Sequence, residues 1–280
     1  MNMLEKIIGD VARRAARPKM HADIPPGLKA LHTDIIERAS NLQAAASAKY
    51  ERIPVAPNSE AAFHRLHQFA LVQHRATLAL CEHGWSQAAP SNVRTLLECL
   101  INLGVIVEKD SEYRAFQYLY GYVLLALRRP DPSLPNGPTE KGELQSVLDK
   151  GIGPLEEPLK SRVLEWTANG ELPGNYWYSE YYKGPSLVVK NLLPSVLPMY
   201  RIFSSTSHGG FFGTYFFLDA PENPGINAQS NPRTAKFLVG ASCRFSIEIC
   251  HLRSRFQQLN QDGECEVLRH RLSAYNPDAS

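Results

Sequence analysis

Apolar residues return every three to four positions along most of the chain, the spacing that lines one face of an α-helix. Leu4, Ile7, Ile8, Val11 and Ala15 predict a helix over residues 3–17, with Arg13, Arg14, Arg17 and Lys19 crowding its end. Leu28, Leu31, Ile35, Ile36 and Leu42 predict a second between Gly27 and Tyr50. A link with prolines at 54 and 57 leads to Asn58 or Ser59 as a cap and Glu60 in the first turn of a third helix, about 60–83. The next, Val93 to Val107, is apolar around most of its circumference and is predicted to be central. Arg94, Glu98 and Asn102 nevertheless run through it as a polar line at i, i+4 and i+8. A carboxylate in that setting requires a partner, and Arg94 and Arg201 are the candidates.

Further helices are predicted over 111–129, 139–150, 155–169 and 186–193, from about Pro194 to His208, and over 233–259 and 262–274. Stretches rich in Pro, Gly, Ser and Asn at 130–142 and 220–232 read as loops. No internal repeat and no long period-two alternation is present. The fold class expected is all-α, a multi-helix bundle in one large domain. Residues 1–57 form an N-terminal helical extension in this reading, and 58–280 form the core.

Length changes little in this picture: 280 residues suffice to bury one large core. A formal charge of +2 excludes nucleic-acid binding by net field, so such a role needs a local patch. Cys81, Cys99, Cys243, Cys250 and Cys265 form no CxxC pair and read as reduced, buried thiols. The first ten residues lack an apolar signal core and no run reaches membrane-span length, so a soluble, cytoplasmic protein with no membrane partner is expected.

The candidate chemistry gathers at Tyr200-Arg201-Ile202-Phe203-Ser204-Ser205-Thr206-Ser207-His208. Arg201 and His208, about two turns apart, share a helix face with Ser204 and Ser205 between them. Gly209-Gly210 supplies a stop that leaves His208 in the last turn, where the helix dipole favours imidazolium. The set suits an anion such as a phosphate; a helix end held by internal hydrogen bonds has the same sequence, and both readings stay open. Tyr176, Trp177, Tyr178, Tyr181 and Tyr182 with Lys183 could stack bases or cover a hydrophobic cleft.

Metal chemistry has weaker support. His64, His67 and His74 fall at helical spacing, but no acid or cysteine completes a ligand pattern and Arg65 and Arg75 are interleaved, which favours surface or packed histidines. Glu248-Ile249-Cys250-His251 is a Glu-x-x-His pair of the kind used in di-iron bundles, without the second pair such sites require. The minority metal set is Glu98, His208, Glu248 and His251. No cofactor is expected.

Two resemblances add to these readings. Arg94-Thr95-Leu96-Leu97-Glu98, the turn Glu108-Lys109-Asp110, and Arg114 resemble the first block of a bacterial family known as domain of unknown function 5677. Trp177 to Lys190, followed by Tyr200-Arg201-x-x-Ser204-x-x-x-His208, resembles its second block, and the likeness spans roughly 60–215. The resemblance implies an all-helical fold and no particular activity. Arg201 and His208 also resemble the Arg-x(4–6)-His pattern of HEPN proteins, although Ile202 stands where those motifs often carry a polar residue. That likeness implies a metal-independent ribonuclease, active as a homodimer in a bacterial toxin or phage-defence setting, with RNA rather than DNA as partner. Arg201 and His208 would be catalytic, supported by Ser204, Ser205, Arg94, Glu98 and Tyr200. The other expectation is a non-catalytic interaction protein whose Arg94, Glu98, Arg201 and His208 form a buried packing network.

Overall fold

The apolar stripes become helices with their ends displaced by only a few residues. The structure, a computed structural model, describes residues 24–50, 57–128, 138–169, 177–207 and 232–275. Among the described residues the order is α1 Pro26–Tyr50, α2 Asn58–Glu82, α3 Ala89–Glu108, α4 Ser111–Arg128, α5 Pro138–Ile152 and α6 Leu159–Asn169. There follow α7 Pro185–Leu192, a 3-10 turn Pro194–Val196, α8 Leu197–Ser207, α9 Pro232–Gln257 and α10 Asp262–Ser273. The expected all-α bundle is what forms. The helix expected over 3–17 and the loop at 220–231 lie outside the described residues, as does 129–137 of the other loop. The loop expected to 142 and the helix expected from 139 overlap, and the structure sides with the helix, α5 starting at Pro138.

α3 is the central element. Val93, Leu96, Leu97, Leu100 and Leu103 are fully buried, each such leucine contributing about 1.5–3 kcal/mol of burial. α2, α4 and α9 pack against α3, and α7 and α8 cover it from the remaining side. α9 also packs on α1, α2 and α10. The division drawn at residue 57 is therefore not a packing boundary: α1 buries Leu28, Leu31, Ile35, Ala39 and Leu42 in the same core. Its stripe was read correctly, but nothing local in the sequence says which helix it faces.

Local chemistry fixes the hairpins. α2 ends in a Schellman arrangement: the Trp85 N–H reaches the Leu80 carbonyl at 2.7 Å and the Gly84 N–H reaches that of Cys81 at 3.2 Å. Gly84 takes the left-handed conformation this needs, φ 76°. Only Lys109 and Asp110 separate α3 from α4, and Asp110 also sits at positive φ, 49°. α2, α3 and α4 thus run up, down and up, with α2 parallel to α4. The Glu112 carboxylate of α4 accepts hydrogen bonds from the Ser59 hydroxyl and backbone N–H, satisfying a free amide at the start of α2.

A smaller core joins α4 to α5 and α6 through Tyr113, Phe116, Leu124, Leu148, Val163 and Trp166. Gly151 of α5 meets the Tyr120 ring, which is stacked on Phe116 at 4.5 Å. A methyl group there would run into that ring. Gly151→Ala is expected to cost about 1–3 kcal/mol by overpacking, read as a lower urea midpoint.

Candidate functional site

α8 is held by Phe203, which is fully buried and packs on Phe237 and Phe245 of α9 with ring centroids 5.9 and 6.2 Å away. Tyr200 is buried on the same face. Anchoring Tyr200 and Phe203 turns Arg201 outward: it is exposed, and its side chain makes no hydrogen bond or ion pair with any described residue. Ser204 is half-buried. Ser205 lies on α8 with its side chain outside the described set, and His208 is outside the described residues altogether.

Two further arginines come to α8 from other helices. Arg94 of α3 places its guanidinium 5.2 Å from the Tyr200 ring centre and donates Nε–H to Glu98 Oε1 at 2.8 Å. Its Nη1 is buried without a hydrogen-bond partner. Arg244 of α9 donates to the Ser195 carbonyl, just before α8, at 3.1 Å. Glu98 is the one carboxylate paired with any of these three arginines among the described residues. Arg94, 13% exposed, and Arg244 thus reach α8 at Tyr200 and just before its first turn, while Arg201 points to solvent. The partner of Glu98 is Arg94 and not Arg201. Glu98 itself is 52% exposed rather than buried, because the polar line of α3 lies along the edge that α7 and α8 only partly cover.

The aromatic segment closes over the end of the α3–α4 hairpin. Trp177 donates its indole N–H to Asn102 Oδ1 at 2.7 Å and meets Tyr118 and Tyr178 edge-on. Tyr178 is buried. Arg114 lies 4.2 Å over the Tyr181 ring, and it donates to the Val105 carbonyl and to Glu108, each at 2.6 Å. The Tyr181 hydroxyl donates to Gln117 Oε1 at 2.5 Å, and Gln117 donates to Glu180 at 3.1 Å. Burial alone would raise the Glu108 carboxyl, but hydrogen bonds from Arg114 and Tyr182 outweigh it and hold the group below its ordinary range. Burial pushes the Tyr181 and Tyr182 phenols up. Arg162 of α6 sits 3.8 Å over the Tyr113 ring and pairs with Asp110 at 3.3 Å. Lys183 is exposed, and Tyr176 lies outside the described residues. Trp177, Tyr178 and Tyr181 have their rings engaged by protein. The fold also brings the two resemblance blocks into contact, through Asn102 with Trp177, Arg114 with Tyr181 and Arg94 with Tyr200.

His67 and His74 face inward and are buried, whereas His64 is exposed and bonded to Gln43 at 2.7 Å. Neither was joined in the sequence reading to His32 of α1, whose ring stacks on His74 at 3.8 Å and whose Nε2–H donates to the His74 carbonyl at 3.0 Å. His74 Nδ1 is 2.6 Å from the Ser242 hydroxyl. Glu248 receives two bonds from Arg269, at 2.8 and 2.7 Å, and so is committed to an arginine rather than to a metal. His251 is half-buried. Among the described residues no group of three or more His, Cys, Asp or Glu converges as a metal site. All five cysteines are free and buried; burial pushes the thiols of Cys81 and Cys99 up to about 12.

Arg94, Glu98, Asn102, Glu108 and Arg114 thus occupy one continuous helical hairpin, which is also where a comparison with known families gives a result. Residues 60–128 match the model of DUF5677, a family of unknown function. The DUF5677 match spans α2, α3 and α4 and contains every residue of the first resemblance block, while Trp177 to His208 falls outside it. No curated protein and no solved structure matches the chain. No described helix is long and apolar enough to cross a membrane.

Proposed function

We propose that the protein is a HEPN-like, metal-independent endoribonuclease, acting as a homodimer in a bacterial toxin or phage-defence setting. The observation that supports this is the exposed guanidinium of Arg201, which pairs with no described residue, on a helix that Arg94 and Arg244 also reach at Tyr200 and Ser195. A phosphate diester is the natural partner of such an exposed guanidinium. Arg201 would hold the scissile phosphate and offset its developing charge, while His208 would take the proton from the 2′-hydroxyl. O2′ then bonds to phosphorus, the P–O5′ bond breaks, and a proton returned from the second copy leaves a 2′,3′-cyclic phosphate and a 5′-hydroxyl.

A denaturing gel of total RNA incubated with purified protein in excess EDTA tests this. Arg201→Ala and His208→Ala are each expected to slow cleavage about a hundredfold or more. The melting temperature of Arg201→Ala should stay at the parent value, since that side chain is exposed and unpaired. Cleavage by both variants at the parent rate would overturn the mechanism. Arg244→Ala should weaken RNA binding and lower the slope of log affinity against log salt by about one.

A second reading, a non-catalytic interaction protein, draws on a different feature. A fully buried arginine, Arg253, is hydrogen-bonded to Glu60, Gln257 and Gln43 where α1, α2 and α9 meet. Such a network can select one packing arrangement. Under that reading purified parent protein cleaves nothing.

A further inference from the structure

α2 carries an apolar seam that no described element covers. Phe69 and Val72 are 51% and 57% exposed, Ala79 is exposed and Ala76 half-exposed. Their spacing of three, four and three residues is that of a coiled-coil stripe on the side of α2 opposite its buried face. The parallel α4 widens it. Ser59 bonds Glu112, and the Arg65 charge bears on Tyr118, so Phe69 lies level with Tyr122, which is 73% exposed.

The length of the seam decides between occupants. From Phe69 to Ala79 it runs about 15 Å and is one helix wide. A dimer held by such a strip would bury far less than the roughly 800 Å² per partner of a stable interface. A tethered segment needs no such area, because its effective concentration is on the order of millimolar. Residues 3–17, which lie outside the described residues, repeat apolar positions at Ile8, Val11 and Ala15 with the same three-then-four step as Phe69, Val72 and Ala76. The chain also enters the structure at the right place. Lys29 in the first turn of α1 pairs with Glu82 at the end of α2 at 2.9 Å, so the described chain begins at the same end of the bundle as the Ala79 end of the seam. The nine steps from Ala15 to Ile24 can bridge up to about 30 Å, and Pro18 ends any helix before the turn back.

We propose that residues 3–17 dock as an amphipathic helix along α2, parallel to it, with Ile8, Val11 and Ala15 against Phe69, Val72 and Ala76. This covers the seam within one chain.

Limited trypsin digestion of the full chain, followed by mass spectrometry, tests it at Arg13, Arg14 and Lys19. The parent should be cut there about tenfold more slowly than Val72→Asp or Val11→Asp, because cleavage needs the helix to open. The melting temperature of Val72→Asp reports whether the core is intact, and Val11→Asp provides the same release from the other side of the contact. Equal cleavage of parent and both variants would overturn the proposal. So would a parent that sediments as a dimer and a Val72→Asp variant that sediments as a monomer, since a second copy would then be the occupant. RNA cleavage is not part of either readout.

Discussion

Arg253→Ala is expected to lower the free energy of unfolding by about 3–5 kcal/mol, the range for breaking a buried ion pair from one side. Arg253 is fully buried on α9, with Nε 2.8 Å from Gln257 Oε1, Nη1 2.6 Å from Gln43 Oε1 and Nη2 3.2 Å from Glu60 Oε1. Gln257 Nε2 donates to the other Glu60 oxygen, and Lys49 donates to the Gln257 carbonyl at 2.6 Å. Every strong group in the cluster is paired, so removing the guanidinium strands a carboxylate that is itself only 7% exposed. Burial already pushes the Glu60 carboxyl up, with the Arg253 charge opposing that rise. Without Arg253 only Lys49 still opposes the rise, and the folded state binds a proton at a pH where the unfolded state does not. The loss should therefore shrink as pH falls toward the carboxylate range. The double replacement Arg253→Met with Glu60→Leu should cost much less than Arg253→Ala alone, because no charge is left stranded. Urea unfolding at neutral pH separates the cases. A cost below about 1 kcal/mol for Arg253→Ala would show a pair as weak as an exposed one.

That cluster also shows where sequence reading stops. α1 to α10 were legible because each carries an apolar stripe of helical period, and because Gly84 and the two-residue α3–α4 link have a local meaning. Glu60 was legible as a first-turn carboxylate, which it is, but its partners lie at positions 253 and 257. No spacing rule links positions some two hundred residues apart, and Arg253 reads locally as one more cation near a helix end. The Arg94, Glu98 and Asn102 line was visible for the opposite reason, since helical period alone puts the three on one face. Its burial was misjudged, because burial depends on how far α7 and α8 extend over α3. Glu108 and Arg114 came into view through the family likeness, yet Gln117, Glu180 and Arg162, which complete their surroundings, carried no signal at all.

The position of Arg201 follows from the same logic. Periodicity placed it on a helix with Tyr200 and Phe203, and the structure shows why it faces out: those two aromatics take the inward positions against α3 and α9. A buried network through Arg201 is thereby excluded for the described residues, among which the buried arginines are Arg114 and Arg253 instead. The separation matters for any assay, since substitutions at Arg201 can probe chemistry while those at Arg253 probe the fold.

Stability should fall steeply as pH drops from about 6.5 to 5, and buried histidines are the cause. His32, His67 and His74 all have pKa values below the ordinary histidine value, first through burial, with that of His67 lowered to about 3. The Arg253 charge adds to the effect on His67, and the charge of His32 adds to that on His74. Arg75 disfavours protonation of both stacked rings, while Glu82 favours that of His32. Each folded pKa lies under the unfolded one, so below pH 6.5 the unfolded chain binds protons that the native chain refuses. Each histidine then removes about 1.4 kcal/mol per pH unit until its folded pKa is reached. Glu60, whose carboxyl is pushed up, works the other way near the carboxylate range, and Glu108, held down, adds to the loss there. His67 alone would remove about 2 kcal/mol by pH 5, with His74 acting in the same direction, against a typical domain stability of roughly 5–15 kcal/mol. His67 isolates the effect: neither ring nitrogen has a hydrogen-bond partner, the ring lying against the Ala39 backbone without bonding geometry. His67→Leu should therefore be neutral or stabilising at pH 7.5, and it should flatten the fall in melting temperature between pH 6.5 and 5. Parent stability that is constant over that interval would mean that these rings take up protons while still folded, which their burial and stacking oppose.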